Sequence, residues 1–74
     1  MTRKHFGVLC RLAQNFGEVV TREDLLRDVW GFRAMPTTRT VDTHIAGLRA
    51  KLEEDASKPR HLLTVHGVGY KLMA

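Results

Sequence analysis

The chain has 74 residues, 43% hydrophobic and 27% charged, with Cys10 as its one cysteine. That length allows one small core and no second domain, and a lone cysteine excludes an intrachain disulfide, so a reducing, cytosolic compartment is the expected setting. Twelve Lys and Arg against eight Asp and Glu give a net charge of +4 and a pI near 9.8, which permits a nucleic-acid or anionic-membrane partner without requiring either.

The excess cations are spread along the chain, six Lys or Arg and four Asp or Glu on each side of the division after Thr38, so any anion-binding surface must be assembled by folding. The apolar runs are too short to cross a bilayer, and Met1 to Phe6 lacks the apolar core of a secretory signal. The expected protein is soluble and has no membrane partner.

From about Thr2 to Asn15 the pattern is helical, with Thr2 as an N-cap and Phe6, Leu9, Cys10, Ala13 and Phe16 on one side. Val8 and Leu12 extend the apolar arc well round this helix, which predicts a second apolar side without a visible cover and either marginal stability or self-association through those two residues. Gly17 is the expected left-handed stop, and Glu18-Val19-Val20 is a short strand of one or two rungs. Thr21-Arg22-Glu23-Asp24 has the form of a capping box and opens a second helix through Trp30, with Leu25, Leu26, Val29 and Trp30 inward and Glu23, Arg27 and Asp28 wet. Gly31 ends it. The stretch from Gly31 to Thr38 is a loop, because Pro36 removes a donor and restricts its predecessor. Phe32, Arg33 and Met35 are large residues on that loop and make it a candidate contact surface, or else tuck beneath it.

Thr38 to Leu52 then reads as a strongly amphipathic helix. Val41, Ile45, Leu48 and Leu52 recur at helical spacing on one stripe. Arg39, Thr43, Ala46 and Ala50 fall opposite, with Thr40, His44, Gly47 and Lys51 on one flank and Asp42 and Arg49 on the other. A small polar face with cations at its margins suits close approach to a polyanion, where an ordinary wet face would carry long charged side chains. The helix ends near Glu53-Glu54-Asp55, whose carboxylates oppose the dipole at its C-terminus. Leu62 to Val65 and Tyr70 to Met73 are two strand-like runs joined by His66-Gly67-Val68-Gly69, a hairpin. The order is helix, strand, helix, loop, helix, hairpin.

Catalysis is not expected. His5, His44, His61 and His66 show no metal-ligand or zincin spacing, Cys10 sits on an apolar helix side, and Gly67-Val68-Gly69 lacks the rest of a dinucleotide fingerprint. No cofactor, metal or small-molecule substrate is implied. Three helices followed by a hairpin, the third with basic margins, can instead lay a helix in the major groove while the hairpin reaches an adjacent strand.

The ordered motifs Phe6-Gly7-Val8-Leu9, Gly17 to Leu26, Val29-Trp30-Gly31, Arg39 to Ile45, Leu48 to Leu52 and Thr64 to Tyr70 together resemble the OmpR/PhoB-type winged-helix effector domain of bacterial two-component response regulators. The resemblance runs from Thr2 to Leu72. It implies an α+β winged helix-turn-helix over residues 1–74, a single domain without the family's N-terminal sheet and without its phosphate-accepting receiver. It also implies sequence-specific binding of double-stranded DNA in transcription regulation by a phosphorelay, with a recognition helix at about 39–53 and a wing at 64–70. Carried over by position, Arg39, His44 and Arg49 look like backbone or groove-edge cations, Thr40, Thr43 and Gly47 like groove positions, and Trp30 and Tyr70 like phosphate neighbours. Thr64 and His66 would belong to the wing, and Phe32, Arg33 and Met35 to a segment that in this family can touch RNA polymerase. A homodimer on DNA is a further implied partner. Packing is the alternative for Trp30 and Tyr70, while Asp42 orients a neighbouring cation or caps the first turn.

Two departures bear on function. Ala46 and Gly47 stand where relatives often carry arginine, so base reading should be poorer. His66 stands where arginine is common in the wing, which makes that contact depend on protonation. The rival expectation keeps the fold but makes it a protein-interaction module with weak or no base-specific DNA binding, using the small face at Ala46, Gly47 and Ala50 or the uncovered side of the first helix.

Overall fold

The computed structural model describes residues 2–31 and 37–74. Among them are α1 (Arg3–Gln14), β1 (Val20–Thr21), α2 (Arg22–Trp30), α3 (Thr38–Leu52), β2 (Leu62–Val65) and β3 (Gly69–Leu72), in the order read from the sequence.

Local chemistry sets most of the boundaries. Thr2 is extended and caps α1: its Oγ1 accepts from the His5 backbone N–H at 3.2 Å, and the His5 ring turns back on Thr2, completing a reciprocal capping box with an imidazole in place of a carboxylate. At Thr21, where the sequence suggested such a box, only one half forms. Thr21 Oγ1 accepts from Asp24 N–H at 3.1 Å, while the Asp24 carboxylate is taken by Arg27. Gly17 and Gly31, at φ +84° and +85°, end the first two helices in a region that other residues rarely enter.

The burial of α1 reverses the sequence expectation. Val8 and Leu12 are fully buried, whereas Phe6 and Phe16 remain 59% and 54% exposed. The reason is tertiary: α2, α3 and β3 all pack on the arc that holds Val8 and Leu12, so these two residues have no surface left for self-association. Of the larger apolar set, Phe6, Ala13 and Phe16 are exposed, while Leu9 and Cys10 are half-buried and Leu9 packs against the core.

On α3 the inward stripe is Val41, Ile45 and Leu48, but Leu52, expected to continue it, is 40% exposed. The chain turns extended at Glu53, and Glu53 goes inward instead. Its carboxylate accepts from the backbone N–H groups of Arg60 (3.0 Å), His61 (3.0 Å) and Leu62 (2.7 Å), closing the entry into β2. The expected conflict with the helix dipole is thereby replaced by three charge-assisted hydrogen bonds. Burial pushes the Glu53 carboxyl up, but the donors of Leu62, Arg60 and His61 outweigh it and hold it below the usual range.

The strands form one antiparallel sheet in the order β1-β3-β2. Tyr70 pairs with Val20 on one side and Thr64 on the other, and Gly69 pairs with Thr21 and Val65. A Cβ at Gly69 would stand 2.0 Å from the Val20 carbonyl oxygen and 2.8 Å from Thr21 Cα, so this rung admits only glycine. Strand β3 thus starts one residue before the run read from the sequence, and the hairpin turn is His66-Gly67-Val68 with Gly67 at φ +76°. Val8, Leu12, Val20, Leu25, Val41, Ile45, Leu48, Leu62 and Tyr70 form the core, drawn from all three helices and all three strands. The architecture is the expected winged helix.

Candidate nucleic-acid interface

Three faces of α3 have three different fates. The inner one is core. The outer one, Arg39, Thr43, Ala46 and Ala50, is exposed along its whole length, as the periodicity predicts. Thr43 donates its hydroxyl proton to the Arg39 carbonyl at 3.1 Å, so towards a ligand it offers acceptor lone pairs and a methyl group.

The flank towards the sheet is committed to tertiary contacts. Asp42 accepts from the Arg22 guanidinium, with Nε at 3.0 Å, and from the Tyr70 hydroxyl at 2.6 Å, joining α2, α3 and β3 at one carboxylate. It orients a neighbouring cation, as one of the two expectations for it had it. Burial first, and then donation to Asp42, pushes the Tyr70 hydroxyl up to about 12. Tyr70 is the only tyrosine, so an ultraviolet pH titration of the native domain should show ionisation near that value, against about 10 in denaturant. Because the fold favours the neutral phenol, stability from this group is complete below about pH 10 and is lost as pH rises through 12. Tyr70→Phe should remove the alkaline slope.

Arg49 occupies the same flank. Its Nε and Nη2 donate to the Leu62 carbonyl at 2.9 and 2.8 Å, Nη2 also donates to Thr64 Oγ1 at 2.8 Å, and the guanidinium lies 5.7 Å from the Tyr70 ring centroid. One side chain therefore sets the angle between α3 and the β2–β3 hairpin. A concavity of about 300 Å³ opens between the start of α2, α3 and the hairpin, lined by Arg22, Glu23, Asp42, Thr64, His66 and Tyr70 among others.

The flank towards α1 and α2 is a joint of rings. His44 Nδ1 donates to the Thr40 carbonyl at 2.8 Å, its ring is 4.6 Å from that of His5, and the Trp30 indole meets it edge-on at 4.8 Å. Lys4 Nζ donates to the Val29 carbonyl at 3.0 Å and lies 5.7 Å from the Trp30 ring centroid.

The family described as "Transcriptional regulatory protein, C terminal" matches residues 1–72. The chain belongs to this family. It is 49% identical over 74 residues to the transcriptional regulatory protein VxrB of Vibrio cholerae, covering all of this chain and 28% of that protein. It is 48% identical over 69 residues to the sensory transduction protein RegX3 of Mycolicibacterium smegmatis, covering 93% of this chain and 30% of that one. Among solved structures it is similar to the Klebsiella pneumoniae RstA DNA-binding domain in complex with RstA box, at TM-score 0.83 and 32% identity over 99% of this chain and 72% of that one. The chain thus spans less than a third of these two curated relatives.

Within this OmpR/PhoB-type domain, the residues singled out from sequence fall into distinct places. Arg39 and Thr43 are on the open face, Thr64 is exposed on β2, and His66 is exposed at the hairpin turn. Thr40, His44 and Trp30 are half-buried at the ring joint, and Gly47 lies beneath His5, where a Cβ would stand 2.5 Å from Nε2. Its small size therefore has a packing reason. Arg49 is half-buried against β2, and Tyr70 is buried with its hydroxyl bonded to Asp42 at the edge of the concavity. Phe32, Arg33 and Met35 lie outside the described residues. Sequence reasoning passed over Arg22, which reaches the Asp42 carboxylate from the start of α2. The available signal was a cation in the first turn of a helix, where the dipole disfavours it unless an acidic partner is at hand. Among the described residues no helix is long and apolar enough to cross a membrane, and no group of three or more His, Cys, Asp or Glu could hold a metal ion.

Proposed function

We propose that this domain binds double-stranded DNA as the output module of a cytoplasmic transcriptional response regulator. In this reading α3 lies in the major groove with Arg39, Thr43, Ala46 and Ala50 towards the base edges, and the hairpin turn at His66 lies on the adjacent minor groove or backbone. The observation that carries it is the open, small-residue face of α3 held beside the hairpin by Arg49. Small side chains let the helix sit deep in the groove, where phosphate contacts at its margins supply most of the affinity. Base discrimination is modest, because the face carries one long hydrogen-bonding side chain, Arg39, and Thr43 reads only as an acceptor and a methyl group. Sequence-dependent deformability supplies the rest. A homodimer on DNA, and contact with RNA polymerase through Phe32, Arg33 and Met35, belong to the same reading.

Binding to random duplex across a salt series tests it, followed by site selection. Affinity should fall linearly with the logarithm of salt concentration. Absence of salt-dependent binding to any duplex, together with a stable protein complex in solution, would favour the protein-interaction module. Arg49 Nη1 has no hydrogen-bond partner among the described residues and is the atom available to a phosphate. Arg49→Ala should weaken binding to all sequences alike and lower the salt slope by about one unit. An unchanged slope would leave Arg49 as a positioner of the hairpin only.

A further inference from the structure

The joint between α1 and α3 holds two imidazoles that the open face of α3 does not use. Their tautomers are set by their partners. His5 Nδ1 receives the Thr2 hydroxyl at 2.6 Å and the Thr2 backbone N–H at 3.4 Å, so the neutral ring carries its proton on Nε2. His44 Nδ1 faces the Thr40 carbonyl, which only accepts, so its proton is on Nδ1. Gly47 lies under His5 Nε2, leaving a shallow cleft of about 310 Å³ lined by Thr2, His5, Gly47, Leu48, Ala50 and Lys51. The charged and titratable groups that act on His5 are all basic: the N-terminal amine, and His44 and Lys51 on α3. From α2 the joint receives Trp30 and Val29, neither of which titrates.

We propose that His5 is an acid-released latch that holds the first turn of α1 against α3. Three effects of protonation loosen the joint, against a single opposing one, the Nδ1–H that would then donate to Thr2 Oγ1 at 2.6 Å. A proton on Nδ1 turns the acceptor of the capping box into a donor facing the Thr2 N–H, so the reciprocal half of the cap is lost. The new charge stands 4.6 Å from the His44 ring and close to Lys51. It also arises in the first turn of a helix, where the dipole is already positive.

Burial foremost, then His44, the N-terminal amine and Lys51, holds the His5 pKa below its ordinary value. The fold therefore prefers neutral His5, and the unfolded chain protonates first. Stability from the latch is complete above about pH 6.5 and is lost as pH falls through the lower folded-state value. Release frees the edge of α3 at Gly47, beside Ala46 and Ala50. The functional consequence rests on α3 facing DNA, whereas the latch itself does not.

Denaturant midpoints of the full chain between about pH 7.5 and pH 5.5, with proton NMR titration of the histidines, test the latch without DNA. The wild-type midpoint should fall with acid. His5→Gln keeps an acceptor for the Thr2 N–H but does not titrate, and should flatten the profile. Gly47→Ala pushes the His5 ring outward, while alanine favours the helix and protects the fold. It should return His5 to ordinary titration and flatten the profile as well. A His5→Gln variant that keeps the wild-type slope, or a wild-type His5 that titrates at the ordinary value, overturns the proposal. Because neither readout involves DNA, either result leaves the DNA-binding reading standing or falling on its own assay.

Discussion

Leu12→Ala is expected to cost about 2–5 kcal/mol, the range for emptying a fully buried leucine site. A domain of this length has a total stability of roughly 4–11 kcal/mol, so the variant should lose a large fraction of it. Leu12 touches the interior where α2, α3 and β3 converge on α1, and relaxation there is limited because each of those elements is held by other core residues. Phe6→Ala provides the contrast. Phe6 is 59% exposed on the same helix, and its truncation should change stability by no more than about 0.5 kcal/mol. Urea denaturation of the two variants decides the matter. If Phe6→Ala proved the more damaging, the orientation of α1 described above would be wrong.

Glu53→Ala is expected to cost about 2–3 kcal/mol, because it leaves the buried N–H of Leu62 and the neighbouring N–H groups of Arg60 and His61 without their acceptor. Glu53→Gln should fall between, since its single amide oxygen can serve only part of the set and its NH2 would face donors. The same site contributes acid sensitivity. Its folded-state pKa is lowered, so its stabilisation is present above the ordinary carboxylate value and is lost as pH falls through the folded value. Asp28, held low first by its hydrogen bond from Arg11, acts in the same sense at the surface, where solvent weakens it. Denaturant midpoints measured below about pH 5 should therefore decline less steeply in Glu53→Ala than in the wild type. Equal slopes would mean that the Glu53 carboxylate is solvated rather than tied to the β2 entry.

Much of the fold was legible because its determinants are local. Thr2, Thr21 and Gly31 mark helix ends through contacts within a few residues, Gly17 through its own positive φ, and the period of Val41, Ile45 and Leu48 selects the inner face of α3 whatever packs there. The complementary face, Arg39, Thr43, Ala46 and Ala50, followed from the same geometry and is open. Apolar patterning was ambiguous on α1, where two arcs competed and the large aromatic residues, Phe6 and Phe16, were the exposed ones. Spacing records that a face is apolar; it does not record how many neighbours will cover it.

What the sequence determined by itself, then, was the order and type of the elements, the hairpin, the family, and the residues α3 turns outward, all properties carried by residues a turn or two apart. Only the tertiary structure decided which flank residues of α3 remain free to meet a ligand. Asp42 is taken by Arg22 and Tyr70, Arg49 by β2 at all but its Nη1, His44 by Trp30 and His5, and Gly47 owes its missing side chain to His5. The partners in these contacts lie at least 13 residues apart along the chain, 28 in the case of Asp42 and Tyr70. A cation beside a helix face reads the same in sequence whether it will meet a phosphate or a carbonyl. Folding decides which, because it alone brings the competing acceptor within hydrogen-bond reach.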